Sequence, residues 1–472
     1  MMTEDLKLKH LLSSATFGQN TTADFATKTT KHLLKYLLNK KEPHTFIQVI
    51  TLAEMKALND ADKMASKETK KDIKKQIQQY EFEINWQWWQ QMVENPKQLH
   101  EKMALFWHGH FACRSNNPYY DQQYLDVIRA NAMGNFATLL YEVSKTPSML
   151  QFLNNQQNKK AHPNENFARE VMELFTLGRG NYTEQDVKEA ARAFTGYGFN
   201  KEAEFVFRDK QHDTSTKTFL GNTGNFNGDD ILDIILQNKQ CACFIATKVY
   251  RYFVNDKIEK ENVQQLADVF YKSKYNIKAM MHTLFTATWF YDEKNIAAKI
   301  KSPIELLTGM SRVIPITFED KQSSIFIQRA LGQVLLNPPS VAGWSGGLSW
   351  IDSSSLLFRM RLPKVIYNDN EIDFSIKETL PEMNESKLGY SVPAPSKITI
   401  KKITAQADWK TMCNRFVNSN KKEKDIADFL LLKQPDALSL QLISKVTDNT
   451  TAEHAIKSIA VEIMSLPEYQ LC

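Results

Sequence analysis

The chain has 472 residues, 42% hydrophobic and 24% charged, which is enough apolar surface for a sizeable core and too long for one small domain. A net charge of +5 is thin over that length and argues against the clustered basic face of a nucleic-acid binder. Five cysteines, odd in number and without a CxxC pair, argue against a disulfide framework or a cysteine zinc site.

In chain order, LKLKHLLSSATFG reads as a short helix ended near Gly18, and a second helix covers about 22 to 39. The opening residues have no continuous apolar run, so they do not read as a signal peptide, and by sequence alone the chain is cytoplasmic. No stretch approaches the roughly 18 apolar residues of a membrane-spanning helix. Residues 52 to 93 are nearly free of helix breakers, and the lysine-heavy run at 67 to 79 fits a solvated helix face. Trp86, Trp88 and Trp89 close that stretch and read as a packing knot between helices.

Further helices are expected from 97 into MALFWHGHF, over 121 to 143, after Pro147, and over 163 to 177. TEQDVKEAARAFTG carries a capping box, with Thr183 as N-cap and Asp186 three residues on, and stops at Gly196. The strand signal falls on residues 204 to 209 and 217 to 221, expected to pair as a hairpin. Helices then resume at 229 to 238, 240 to 254, 259 to 272, 275 to 287, 302 to 314 and 321 to 336, before the Pro-, Gly- and Trp-rich loop 337 to 352. The expected class is mainly α: a main helical domain over 1–362, an irregular linker over 363–403 and a small C-terminal helical unit over 404–472.

Three places concentrate candidate chemistry. In HPNENFARE, residues 162 to 170, Pro163 and Glu165 suit a helix start, with His162 or Asn164 as its cap. Phe167, Ala168, Val171, Met172, Leu174 and Phe175 share an apolar arc, while Asn166, Glu170 and Glu173 line the opposite side. Arg169 falls within i,i+4 reach of both Glu165 and Glu173. The plain reading is an amphipathic helix with a wet face; the sharper one makes Glu170 and Glu173 acid/base groups or metal ligands. In FWHGHF, His108 and His110 share a ligand only if the segment is extended, since a helix sets them about 160° apart. In QHDTSTK, Asp213 beside His212 reads first as an Asx-turn former. HExxH, GxSxG, Walker A and a strand-linked GxGxxG are all absent. GNTGNFNGDD resembles a calcium loop in composition, but not in EF-hand spacing.

HLLSSATFG, FWHGHF, HPNENFAREVMELFTLGRGNYTEQDVKEAARAFTG, HDTSTKTFLG and PPSVAGWSGGLSWI, in that order over about residues 8 to 362, resemble the bacterial family known as domain of unknown function 1800. The resemblance implies a mostly helical fold, export for many relatives, and no established activity. It places motif positions on His110, Asn166, Arg169, Glu170, Glu173, Asp186, Glu189, Arg192, His212, Asp213 and Trp344. His108 falls where relatives vary, and Phe175 and Asn154 stand where relatives often have His and Asp.

The expectation carried forward is an uncharacterised protein with a pocket of the metal-assisted hydrolase type. Glu170, Glu173, His110, His212 and Asp213 would be its catalytic groups, and Arg169, Asn166 and Trp344 would bind substrate. His108, His110, Glu170 and Glu173 would hold a divalent transition metal, Zn, Mn or Fe before Ca. The alternative is a non-catalytic binding or assembly protein in which the Asn, Arg and Glu motifs form a structural network, with Trp344 and Trp350 facing a carbohydrate or protein partner. The two differ in whether arginines saturate the carboxylates.

Overall fold

The computed structural model describes residues 3–20, 29–39, 45–368 and 403–472. Residues 22–28 of the expected second helix and most of the expected linker lie outside these. The fold is mainly α, with twenty-one α-helices and three two-stranded antiparallel sheets among the described residues.

The first half runs α1 (Glu4–Ala15), α2 (Thr30–Asn39), α3 (Leu52–Met64), α4 (Lys67–Glu94), α5 (Gln98–His110), α6 (Pro118–Asn131), α7 (Phe136–Lys145), α8 (Pro147–Phe152), α9 (Asn166–Glu170) and α10 (Glu184–Ala193). The strands β1 (Tyr197–Phe199), β2 (Phe205–Phe207), β3 (Lys217–Phe219) and β4 (Asn222–Gly224) follow. Then come α11 (Gly228–Gln237), α12 (Lys239–Phe253), α13 (Lys260–Lys272), α14 (Ile277–Thr286), α15 (Pro303–Val313), β5 (Ile316–Phe318), α16 (Gln322–Ala330) and α17 (Ser353–Tyr367). The last segment holds β6 (Ala405–Ala407), α18 (Lys410–Phe416), α19 (Lys422–Leu430), α20 (Ala437–Val446) and α21 (Ala452–Met464).

Local chemistry explains where these elements begin and end. The long stretch from 52 is two helices, because Ser66 caps α4 by accepting from the Thr69 amide. The stretch from 121 also splits, since Asn135 caps α7 by accepting from the Ala137 and Thr138 amides. The start of α4 is solvated as expected, whereas Trp88 and Trp89 are fully buried at its far end. Trp86 and Trp89 pack on each other and on Phe318. Each fully buried large side chain contributes about 1.5–3 kcal/mol of burial free energy.

The expected pairing of 204–209 with 217–221 is overturned. β2 pairs with β1, and β3 pairs with β4. Leu220 and Gly221 both take positive φ (45° and 78°), the requirement of a tight two-residue hairpin turn, so the second run folds back on its own continuation. GNTGNFNGDD is consumed by β4 and by a capping box in which Asn227 and Asp230 start α11.

One hydrophobic core runs from α1 to the final residues. α17 packs on α21, β6 pairs with β5, and Ile300 bridges to Leu471, so the last helices continue that core. All five cysteines are free. Among the described residues no helix is long and apolar enough to cross a membrane.

Candidate functional site

The HPNENFARE segment starts its helix at Asn166, three residues later than the expected start at Pro163, and then departs from α geometry. Asn164, not His162, serves the helix start, its side chain accepting from the Asn166 amide at 3.0 Å. Phe167, Ala168, Val171, Met172 and Phe175 are buried. From Val171 to Thr176, however, the chain is π-helical. The Leu177 and Gly178 amides both donate to the Met172 carbonyl, and the Thr176 hydroxyl donates to the Val171 carbonyl at 2.6 Å. Gly178 ends the turn at φ 81°, where a Cβ would lie 2.9 Å from the Phe244 ring. π-Turns are rare and often mark functional sites.

This turn leaves carbonyls that side chains must satisfy. Lys248 Nζ donates to the Leu174 carbonyl at 2.9 Å, and His110 Nε2 donates to the Phe175 carbonyl at 3.0 Å. Because a carbonyl only accepts, Nε2 carries the ring proton, and Nδ1 accepts from Lys248 at 3.2 Å. His110 is therefore neutral and fully engaged. Burial, and then the Lys248 charge, hold its pKa well below the usual histidine range. Lys248 itself is pushed down to about 8 by burial, with Arg251 adding to the effect.

The two glutamates flank the junction between α9 and the π-turn and have opposite environments. Glu170 is half-buried and has no hydrogen bond or ion pair among the described residues. Burial raises its pKa, the neighbouring Glu173 charge raises it further, and Arg169 partly offsets both. Glu173 is lowered, chiefly by the Tyr182 hydroxyl, which donates at 2.6 Å, and by Arg179 at 2.7 Å, against opposing burial. Arg169 keeps its expected partner Glu165 at 3.1 Å, but its other bonds go to Glu184 at 2.8 Å rather than to Glu173. The wider π-turn rotates Glu173 off the α-helical line that sequence spacing assumed. Asn166 donates to the Leu153 carbonyl at 3.3 Å.

The QHDTSTK loop is fastened to α10. Asp213 accepts from Arg192 Nε at 2.8 Å and from the Ser215 amide at 2.9 Å, the second being the expected Asx-turn. Burial works to raise the Asp213 carboxyl, but Arg192 and Ser215 together hold it well below the usual range. Arg192 also bonds Glu189 at 2.7 Å, and Asp186 accepts from the Leu220 amide at 2.8 Å. His212 Nδ1 donates to the Thr195 carbonyl at 2.9 Å. Among the described residues, neither His212 nor Asp213 shares a hydrogen-bond partner with Glu170, Glu173 or His110.

His108 and His110 lie on the last turn of α5, so the extended geometry that would let them share a ligand is not formed. His108 is fully buried against Trp88, Tyr124 and Trp344, and neither ring nitrogen has a hydrogen-bond partner. Burial pushes its pKa down to about 3. Trp344 stacks on it with ring centroids 5.5 Å apart, and Gly343 is pressed on Gly109, where a Cβ would stand 2.3 Å from the Gly109 carbonyl oxygen. Among the described residues, no three of His, Cys, Asp and Glu converge into a group that would hold a metal ion. His108, His110, Glu170 and Glu173 are thus not brought together as one ligand set.

The motif blocks themselves match the family described as "Protein of unknown function (DUF1800)" over residues 10–471. The chain belongs to that family. The match extends through the C-terminal helices, beyond the blocks legible in the sequence. Neither the curated proteins nor the solved structures contain a match.

Two polar features of the structure escaped the sequence reading. Lys248 is the first, a lysine at the edge of the buried stripe of α12. The second is the carboxyl pair Glu81 and Asp121. Asp121 is fully buried, accepting from Ser115 Oγ at 2.8 Å and Ser148 Oγ at 3.4 Å, and burial raises it to about 7. Glu81, raised to about 8 by burial and by the Asp121 charge, has no hydrogen bond or ion pair among the described residues. The available signal was position: Asp121 precedes Tyr124, Leu125 and Ile128 at i+3, i+4 and i+7, and Glu81 precedes Trp88 by two turns.

Proposed function

We propose that this protein is an acid–base enzyme of the hydrolase type whose working group is Glu170. One observation carries the reading: neighbouring carboxyls whose pKa values are moved in opposite directions, Glu170 up and Glu173 down, beside a π-turn. Paired titratable groups driven apart in this way divide the roles of proton donor and ionised partner. Glu170, unpaired and half-buried, would deliver a proton to a leaving-group oxygen. Glu173, kept ionised by Tyr182 and Arg179, would stabilise developing positive charge nearby. In this reading His110, Lys248, Arg169, Arg192 and Asp213 hold the site and do no chemistry, and the metal-assisted form lacks a donor set among the described residues.

The second reading, a binding or assembly protein, is favoured by a separate observation. Arg192 saturates Asp213 and Glu189, and Arg169 saturates Glu184, as a structural network requires. Chromogenic nitrophenyl esters, nitrophenyl glycosides and peptide anilides, offered to wild type and Glu170→Gln, separate the two. Turnover of one class by wild type, lost at least 100-fold in the variant with unchanged thermal stability, supports the enzyme. Turnover equal in both, or none in either, leaves the network reading standing.

A further inference from the structure

The first half of α4 presents a row of cations that neither the core nor the Glu170 site uses. Lys67, Lys70, Lys71, Lys74 and Lys75 fall at i, i+3, i+4, i+7 and i+8, within about 140° of arc along roughly 12 Å of helix. All five are exposed. Lys75 reaches Asp72 at 3.9 Å, and among the described residues the other four have no carboxylate partner. Lys67 and Lys71, Lys70 and Lys74, and Lys71 and Lys75 are like-charge i,i+4 pairs, each of which weakens the helix in water. The chain has 59 lysines and arginines against 54 acids, so its whole positive excess equals the charge on this one face.

α3 and this part of α4 form a helical hairpin that draws little on the core. Between Leu52 and Gln79 only Met55 and Ile73 are buried, and neither joins the main hydrophobic cluster. Met64, the last residue of α3, stands at the hairpin's turn with 93% exposure. The stretch holds no arginine, and no aromatic residue before Tyr80. Bidentate recognition of phosphate favours arginine, and stacking of bases requires aromatic rings; bare ammonium groups answer to charge density rather than shape. An exposed apolar tip beside a row of ammonium groups fits a boundary that is anionic at its surface and apolar beneath.

We propose that the α3–α4 hairpin docks on an anionic lipid surface, with the lysine face of α4 against the head groups and Met64 at their lower boundary. The site is separate from Glu170 and does not depend on the acid–base reading. Each lysine held near such a surface contributes about fivefold in affinity, and salt screens that contribution.

Flotation of the full chain with vesicles of equal parts phosphatidylglycerol and phosphatidylcholine, and with pure phosphatidylcholine as the net-neutral control, tests it. Binding to the anionic vesicles should be at least tenfold stronger than to the neutral ones and should fall as salt rises. Lys70→Gln with Lys74→Gln should weaken it about 25-fold without loss of thermal stability, because both side chains are exposed. Lys260→Gln with Lys272→Gln, which removes the same charge from exposed positions on α13, should bind like wild type. Met64→Ser should cost a smaller, few-fold loss. No preference for the anionic vesicles, undiminished binding in the α4 lysine pair, an equal loss in the α13 pair, or binding of duplex DNA in place of vesicles would overturn the proposal.

Discussion

Two pairs of neighbouring carboxyls in this protein respond oppositely to similar crowding. At Glu170 and Glu173, one acid rises and the other falls. At Glu81 and Asp121, both rise. The difference lies in what the rest of the chain supplies. Tyr182 and Arg179 reach Glu173 and fix its charge, so the burden of burial and repulsion falls on Glu170 alone. Around Asp121 the hydrogen bonds come from two serine hydroxyls and the Ser115 backbone, and no cation pairs with either acid among the described residues. Those bonds do not offset the burial of Asp121, and no cation offsets that of Glu81, so both acids hold their protons more tightly than ordinary carboxyls. A pair split by its environment suits proton transfer; a pair raised together acts as a brake on stability at alkaline pH.

The largest effect is expected at that brake. A carboxyl raised by folding keeps its proton in the native state while the unfolded chain loses it. Stability contributed by the Glu81 proton is therefore present in full below the unfolded value of 4.5 and is lost as pH climbs through about 8. Glu81→Gln should match or slightly trail wild type at pH 4.5. At pH 8.5 it should exceed wild type by on the order of 3 kcal/mol, reduced from the full linkage value by water penetration and relaxation. Urea unfolding at the two pH values reads this directly, and equal midpoints at pH 8.5 would show that the pair is not the brake. Asp121→Asn should act in the same direction, offset by disturbed bonds to Ser115 and Ser148.

Next in size is the clamp that holds the split pair. Lys248→Met removes the donor to the Leu174 carbonyl and strands His110 Nδ1 in a buried site. Each buried group left unsatisfied costs about 1–3 kcal/mol, and relief of a buried charge returns part of it, so a net loss of about 2 kcal/mol is expected. If the clamp also sets the π-turn, Glu170 should titrate closer to an ordinary glutamate in this variant. A destabilised protein in which Glu170 is unmoved would separate the clamp from the pair.

What could be read in the sequence follows from which signals are local. The capping box at Thr183 and Asp186, the Asx-turn at Asp213 and the apolar arc from Phe167 to Phe175 each depend on residues a few positions apart, and each is present. The π-turn was invisible because one extra residue per turn changes no residue type. It redirected Glu173 from Arg169 to Arg179 and Tyr182. FWHGHF was harder still, since glycine permits both a helix and an extended segment, and the close seat of Gly343 on Gly109 decides nothing until the fold brings them together. Lys248 and Glu81 act only through partners far along the chain. The strand partners were missed for a local reason: Leu220 does not look like a residue that accepts positive φ.

The smallest expected effect is the most direct test of why the two pairs differ. The Tyr182 hydrogen bond is the largest single cause lowering Glu173, and Arg179, whose side chain is 87% exposed, is well placed for water and salt to screen. Tyr182→Phe should therefore raise the Glu173 titration more than Arg179→Ala does, by carbon-detected NMR of the glutamate carboxyls, with little change in stability from the arginine variant. Because the Glu173 charge is one of the causes that raise Glu170, any gain of protons at Glu173 should be answered by a fall at Glu170. The paired movement, one carboxyl up and the other down, is the signature of two coupled sites rather than two independent ones. If Arg179→Ala moved Glu173 further than Tyr182→Phe, a surface cation would be holding the pair apart. The Glu170–Glu173 separation would then weaken with rising salt, whereas a hydroxyl-held pair keeps its difference.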